Sequence, residues 1–429
     1  MSKTEWFAPE EIAIIQVRQL RKTIHYVYQR APFYRDLFDR ERLLPTDFKS
    51  LDDLRHLPAI SAEDLQREHD RFLCVRPEEV ADIAAVASRQ AGKNVDCWLK
   101  LTESDLSRLA YDQQLSAKLL EVGERETVFS ALPWDRCGLS GLATYLGLRR
   151  IGATVLRGGQ PAARDLDAVL GLHQPGTLYA DAEYLRNVTT AAEREGVNLR
   201  RRSVRRLVVL GASLRNQDDS PNDLGNYLAR LWNAKTLMMS LHLEASASFA
   251  ECEAGCLHAH PEVLHVEVLD PQGRPAAAGE VGEVCLTPFG VAGMPVLRFR
   301  TGELAALRTG ACACGRWTPR IGPLLGPKTE ILQLGGKTWY PETLRGVLWG
   351  EPEAGAFVFA AEGRGGKEQM SLWVEAPHPK VCARLASRLQ QLSLNVKVRR
   401  SSLKEIQALQ GAGNQAASPV IVDRRLGRA

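Results

Sequence analysis

Three short segments hold most of the residues that could bind a metal or attack a carbonyl. Glu251-Cys-Glu-Ala-Gly-Cys-Leu-His-Ala-His puts Cys252, Cys256, His258 and His260 within a few positions of one another, and Cys312-Ala-Cys-Gly-Arg adds Cys312 and Cys314 further along. Thiolate and imidazole are the ligands zinc prefers, and four protein ligands make a structural centre with no open position for catalysis. Two distant hairpins could complete such a tetrahedral centre; the alternative is a set of reduced, metal-free thiols. The third segment, Ala131-Leu-Pro-Trp-Asp-Arg-Cys-Gly, sets Cys137 at the start of an expected helix. Exposed N–H groups and the helix dipole favour a thiolate there. A small packed thiol is the plainer reading of a lone cysteine. His242, in Met238-Met-Ser-Leu-His-Leu-Glu, is the candidate base for such a thiol, although a lone histidine is more often a satisfied structural residue.

The scaffold for these residues is legible in the periodicities. Ile12, Ile15, Val17, Leu20, Ile24 and Val27 fall at helical spacing and predict an amphipathic helix over Glu10–Arg30. Short apolar runs at Glu126–Leu132, Ala153–Leu156, Thr177–Ala180 and Leu207–Leu210 alternate with helical stretches, which argues for a parallel sheet with ligands at its carboxyl ends. Val266–Pro275 and Gly279–Thr287 read as a hairpin pair. Ser61 with Asp64 forms a capping box. Beyond Pro327, strands around Ala356–Ala360, Met370–Val374 and Val396–Val398, with a helix over Cys382–Leu392, predict a smaller α+β unit.

A chain of 429 residues points to two or three subdomains, and 45% apolar with 25% charged residues is the balance of a globular protein. It has no run of about 18 apolar residues to span a membrane. The start MSKTEWFAPEE lacks an apolar signal core, so a cytoplasmic protein is expected. Nine scattered cysteines form no disulfide framework. A net charge of +4 is mild, and the arginines of Arg200–Arg206 lack aromatic interleaving, so they read as a solvated face, not a nucleic-acid site.

Three blocks, Met294-Pro-Val-Leu-Arg-Phe-Arg-Thr-Gly-Glu-Leu, the Cys312-x-Cys-Gly-Arg knuckle, and Arg320-Ile-Gly-Pro-Leu-Leu-Gly leading to Leu334-Gly-Gly, match a known family in order and spacing. They resemble the phenylacetate–CoA ligase branch of the adenylate-forming superfamily. Tyr340-Pro-Glu-Thr-Leu is similar to that branch's Phe-Pro-x-x-Ile, and its Gly-Glu-x-Gly-Glu signature is intact from Gly279. The resemblance implies an α/β fold of the adenylate-forming kind. A large domain over 1–326 would carry a β subdomain at about 262–326, and a small α+β cap would cover 327–429. It also implies roles. Ser88 and Lys93 fall on the phosphate loop, Ser213 beside the adenine, Glu244 on the metal–nucleotide complex, and Glu303 on the ribose acid. Glu330 matches the hinge aspartate. For zinc the resemblance favours Cys252, His258, Cys312 and Cys314, with Cys256 or His260 as substitutes.

Several family residues are replaced. Arg89-Gln-Ala stands for the central Gly-Thr-Thr of the phosphate loop, and Ser240-Leu241 for the Tyr-Gly that packs on adenine. Glu303 replaces an aspartate, moving the carboxylate by roughly an ångström. Pro327 replaces an arginine. Asn414 or Gln415 stands where the family carries the lysine that stabilises adenylation. The expectation is therefore an acyltransferase that moves an aryl or alkyl acyl group from CoA to a carrier-protein or other thiol without ATP. Cys137 would be its nucleophile and His242 its base, oriented by Asp135 or Glu244. Two alternatives stand beside it: a divergent ATP- and magnesium-dependent acid–CoA ligase, and an inactive binding or scaffold homologue. Expected partners are an acyl-CoA or small carboxylic acid and an acyl carrier protein, with a homodimer open and no nucleic acid or membrane.

Overall fold

The computed structural model describes residues 4–90, 93–134, 138–363, 368–411 and 419–425; for 87–90, 93 and 94 it describes the backbone. The expected amino-terminal helix runs Pro9–Arg30, and its buried stripe of Ile12, Leu20, Ile24 and Val27 is the apolar face read from the sequence. Gln16 on the same face donates to the carbonyls of Pro261 and Leu264, seating the helix on the large domain. The Ser61–Asp64 capping box is formed at the helix Ala62–Arg67.

A twelve-stranded sheet organises the large domain. Its parallel half contains Thr154–Arg157, Thr127–Ser130, Thr177–Asp181, Arg206–Leu210 and Lys235–His242 in spatial order. Pairing then turns antiparallel through Ala247–Glu251, Leu257–His258, Arg320–Ile321 and Phe299–Arg308 to the expected hairpin of Val281–Pro288 and Leu264–Leu269. The strands around the hairpin thus continue the main sheet, and the metal-binding candidates sit at the seam. Alternation of strand and crossover helix buries both faces of the inner parallel strands, which is why they read as unbroken apolar runs, while the edge strand Thr154–Arg157 is only partly covered.

Helix Glu103–Leu119 spans the seam, capped by Thr102 with Asp105 as the reciprocal partner. Its Arg108 is buried and donates to three backbone carbonyls, those of Phe289, Ser246 (2.6 Å) and Val263 (2.6 Å). One guanidinium fork therefore ties the helix to three loops of the antiparallel half.

A separate four-stranded sheet follows in the order Val396–Arg400, Gln369–Val374, Phe357–Glu362, Ile421–Asp423. Helix Pro341–Trp349 precedes it and lies against the large domain, with Gly326 in a left-handed conformation (φ 94°) where a β-carbon would run into Pro341. Glu330, which the sequence matched to a hinge aspartate, is buried and accepts from the backbone N–H groups of Val420 (2.6 Å) and Ile421 (3.3 Å). Arg186 of helix Ala182–Glu195 donates to the Glu351 (3.2 Å) and Ala354 carbonyls, and Arg388 pairs with Asp223 at 2.6 Å. No helix among the described residues is long and apolar enough to cross a membrane.

Candidate functional site

The metal-binding candidates lie on two turns of the same design. In the first, Cys252 N–H donates to the Cys256 carbonyl (3.0 Å) and Gly255 N–H to the Cys252 carbonyl (2.9 Å). In the second, Cys312 N–H donates to the Arg316 carbonyl (2.9 Å) and Gly315 N–H to the Cys312 carbonyl (2.9 Å). Each turn needs a left-handed residue at its fourth position, which Gly255 (φ 78°) and Gly315 (φ 84°) supply without a steric penalty. The strand Leu257–His258 then carries His258 back between the turns, paired with Ala250 on one side and Arg320 on the other.

The ligand atoms of Cys252, His258, Cys312 and Cys314 all lie within 4.8 Å of one another. Tetrahedral zinc, with bonds of about 2.3 Å to sulfur and about 2.0 Å to nitrogen, requires edges of about 3.8 Å between sulfurs and about 3.5 Å from sulfur to nitrogen. The Cys252 Sγ–Cys312 Sγ separation is 3.8 Å and the Cys314 Sγ–His258 Nε2 separation 3.5 Å. The donor set therefore fits zinc in both type and spacing. Thr318 Oγ1 stands 2.6 Å from His258 Nδ1 and fixes the ring so that Nε2 faces the thiols, the usual arrangement behind a ligating histidine. Burial, with help from Arg316, holds His258 neutral, pushed down to about 3. The substitutes lie outside this four-ligand set. His260 Nε2 lies 2.8 Å from Ser116 Oγ, and Cys256 Sγ, 3.9 Å from both the Ala254 carbonyl and Arg320, borders the cluster through the Cys252 and Cys312 thiols. Arg316 stacks on Trp6 at 4.5 Å and pairs with Glu5 at 2.8 Å, laying the turn Thr4–Trp6 over the second knuckle.

The residues matched to the nucleotide site converge at the carboxyl end of the parallel half. Strand Lys235–His242 ends on His242, and the following turn, Leu243–Ala245, carries Glu244. His242 is buried, edge-on to Phe249, with Nε2 3.2 Å from Ser240 Oγ and 4.0 Å from Glu303 Oε2. Burial pushes it down to about 4, so it is neutral at pH 7. Glu303 shows 38% of its side-chain surface, yet its Oε2 is sealed and has no hydrogen-bond partner among the described residues. Burial raises its ionisation to about 7, helped by the charges of Glu342 and Glu244 and opposed by Arg345. Among the described residues, Glu303, which the sequence assigned to ribose, has its carboxylate 4.0 Å from the imidazole. Asp135 and Cys137 lie outside the described residues, as do Asn414 and Gln415. The helix Leu139–Arg150 begins just after Cys137, capped at Gly138.

The described residues at the phosphate-loop position are two paired strands. Strands Asp82–Gln90 and Lys93–Leu101 stay in antiparallel register to the last pair, Gln90 with Lys93, with Ser88 opposite Val95. Ser88 and Lys93 are therefore strand residues, not loop residues; their side chains lie outside the description. Ser213 N–H is held by Glu342 Oε2 at 3.3 Å, an acid from helix Pro341–Trp349 that the motif matches left unassigned. A second residue that sequence reasoning missed is Lys328, next to the Pro327 substitution. Its Nζ sits 2.8 and 2.9 Å from the two oxygens of Glu283, which Arg300 also grips. A basic residue one position past the lost arginine was the available signal.

Comparison with known proteins accords with this geometry. The chain is 28% identical over 409 residues to a phenylacetate-coenzyme A ligase of Thermus thermophilus and 25% identical over 410 residues to that of Escherichia coli K12, in each case over 92% of this chain and 84% of the relative. No family model matches it. Among solved structures, 2-hydroxyisobutyryl-CoA ligase in the postadenylation state with 2-HIB-AMP superposes with a TM-score of 0.84, at 18% identity over 98% of this chain and 91% of that one. The same enzyme in the thioesterification state, with 2-HIB-AMP and CoA, gives 0.70 at 18% identity over 99% and 92%. The fold is that of the adenylate-forming CoA ligases. In sequence the chain is similar to phenylacetate–CoA ligases, with several of the residues matched to that branch's nucleotide site replaced.

Proposed function

We propose that this chain is an acyltransferase that handles a small aryl or alkyl carboxylic acid as its thioester, moving the acyl group from CoA to the thiol of an acyl carrier protein without an adenylate. The observation that carries the reading is the strand pair at the phosphate-loop position. A loop that wraps a triphosphate must turn successive N–H groups toward one centre. A paired ladder instead sends them alternately to the partner strand and outward. In the transfer, a new C–S bond forms to the acceptor, the C–S bond to CoA breaks, and the acceptor's thiol proton passes to the departing CoA thiolate. Cys137 is assigned as the relay nucleophile, giving an enzyme thioester of nearly equal energy. His242, neutral and close to Glu303, is the proton carrier. Cys252, His258, Cys312 and Cys314 are assigned one zinc, which when bound would staple the two turns. The acting location is proposed to be the cytoplasm.

A second reading, an ATP-dependent acid–CoA ligase, is favoured by the names of the sequence relatives and by the closer match to the postadenylation state. The deciding experiment pairs pyrophosphate exchange over a panel of acids with acyl transfer from the matching acyl-CoAs to a phosphopantetheinylated carrier protein. Transfer without exchange is expected. Robust exchange would restore the ligase reading, and neither activity would leave the inactive homologue.

A further inference from the structure

Resting on the reading that adenylation is not this chain's chemistry, we infer that Glu342 is a specificity-determining residue, a carboxylate carried by the small domain into the nucleotide cleft that closes it to polyphosphates. Its position is fixed from both ends. Helix Pro341–Trp349 begins against Gly326, whose left-handed conformation and missing β-carbon let Pro341 approach. The Glu342 N–H donates to the Leu325 carbonyl at 3.2 Å, and the side chain, 11% exposed, reaches across to the large domain. There Oε2 accepts the Ser213 N–H at 3.3 Å while Oε1 pairs with Arg345 at 3.3 Å. A cavity of about 310 Å³ borders this contact, lined by Ser213, Arg215, Asn216, Leu325, Glu342 and Thr343 among others, while His242, Glu244 and Glu303 are not among its lining residues.

Two consequences follow for an incoming nucleotide. The Ser213 backbone donor, on the segment matched to the adenine side, already has an acceptor. The charge is also of the wrong sign: Glu342 lies close enough to Glu303 to oppose its ionisation, and Glu244 acts on Glu303 in the same sense. His242 is neutral, and the nearby cations are already paired, Arg345 with Glu342 and Arg215 with Glu251. A triphosphate entering this field meets like charge in a partly desolvated cleft, where repulsion is strongest. Building an unfavourable contact against one ligand is a direct route to specificity.

The test is calorimetric titration of wild type, Glu342→Gln and Glu342→Ala with Mg-ATP, AMP and adenosine, each variant first checked by thermal melting. Glu342→Gln keeps the size and the acceptor and removes one like charge, so Mg-ATP should tighten by about tenfold, AMP less, and adenosine by no more than about twofold. Unchanged Mg-ATP binding in Glu342→Gln would overturn the inference while leaving ATP-independent transfer standing. Equal tightening of all three probes would overturn charge as the cause. If magnesium alone bound wild type and not Glu342→Gln, the carboxylates would be a cation site, and the exclusion argument would fall. Micromolar Mg-ATP binding by wild type would sink this inference and the transfer reading together. Should Glu342→Ala fail to fold, the isosteric Glu342→Gln decides alone.

Discussion

Replacing one ligand of the Cys252–His258–Cys312–Cys314 cluster should release the metal and loosen the seam of the large sheet. Cys252 and Cys312 are 60 positions apart. Cross-linking a loop of that length removes about 4 kcal/mol of chain entropy from the unfolded state on the loop-closure estimate. A four-ligand zinc acts as such a cross-link, so Cys312→Ser should cost roughly 3–4 kcal/mol. With about 2 °C per kcal/mol for a cooperative unit of over 200 residues, the melting temperature should fall by roughly 6–8 °C. Elemental analysis of protein prepared without chelator should give about one zinc per wild-type chain and well under half of that in Cys312→Ser. Chelator should bring wild type down to the variant's melting temperature and leave the variant unmoved. Cys256→Ser is the comparison, because that thiol borders Cys252 and Cys312 without belonging to the four-ligand cluster; it should keep its metal and lose no more than about 1 kcal/mol. Metal-free wild type, or a Cys312→Ser variant that melts with the wild type, would refute the assignment.

Further outcomes follow from buried polar groups and the thiol. Arg108→Met leaves the carbonyls of Phe289, Ser246 and Val263 without their donor; at about 1–3 kcal/mol each, partly relieved by relaxation, urea denaturation should show a loss of roughly 3–5 kcal/mol. Because Glu303 is raised from 4.5 to about 7, its favourable contribution is complete below pH 4.5 and fades as the pH climbs through 7. Glu303→Gln should therefore melt like wild type near pH 4 and gain on it steadily between pH 5 and 8; a flat difference would contradict the placement of that carboxylate. Intact-mass spectrometry after incubation with acyl-CoAs should show an acyl adduct on wild type that vanishes in Cys137→Ala. Transfer at the wild-type rate by Cys137→Ala would reduce that thiol to packing.

How far the sequence could be read depended on how local each signal was. The helix over Pro9–Arg30, the alternating strands and the Leu264–Pro288 hairpin were visible because periodicity and turn residues act over a few positions. Cysteine and histidine are chemically distinctive, so the metal candidates could be listed from the sequence. Choosing His258 over Cys256 and His260 as the fourth ligand, however, takes the turn geometry that aims each side chain. Glu342 illustrates the opposite limit. It meets Ser213 across 129 positions, at an unspecified place in a Phe-Pro-x-x-Ile match, and no local pattern announces it. The Glu303–His242 approach is tertiary in the same way. The phosphate-loop residues were read as a turn, yet the backbone pairs through Gln90, because Arg89 and Gln90 lack the glycine that would break the ladder.

The grip of Arg186 on the Glu351 and Ala354 carbonyls has a kinetic consequence. Solved structures of one CoA ligase in different states match this chain unequally, 0.84 against 0.70, so the arrangement adopted here is one of several open to the fold. Any movement of the small unit away from it would strip the Arg186 guanidinium from two buried acceptors. Hydrogen bonds to a charged group are each worth about 1.5–3 kcal/mol, and both must break before water can replace them. Breaking the 2.6 Å Arg388–Asp223 pair adds a smaller amount, because both side chains are partly exposed. Arg186 therefore acts as a detent on this arrangement of the small unit against the large one.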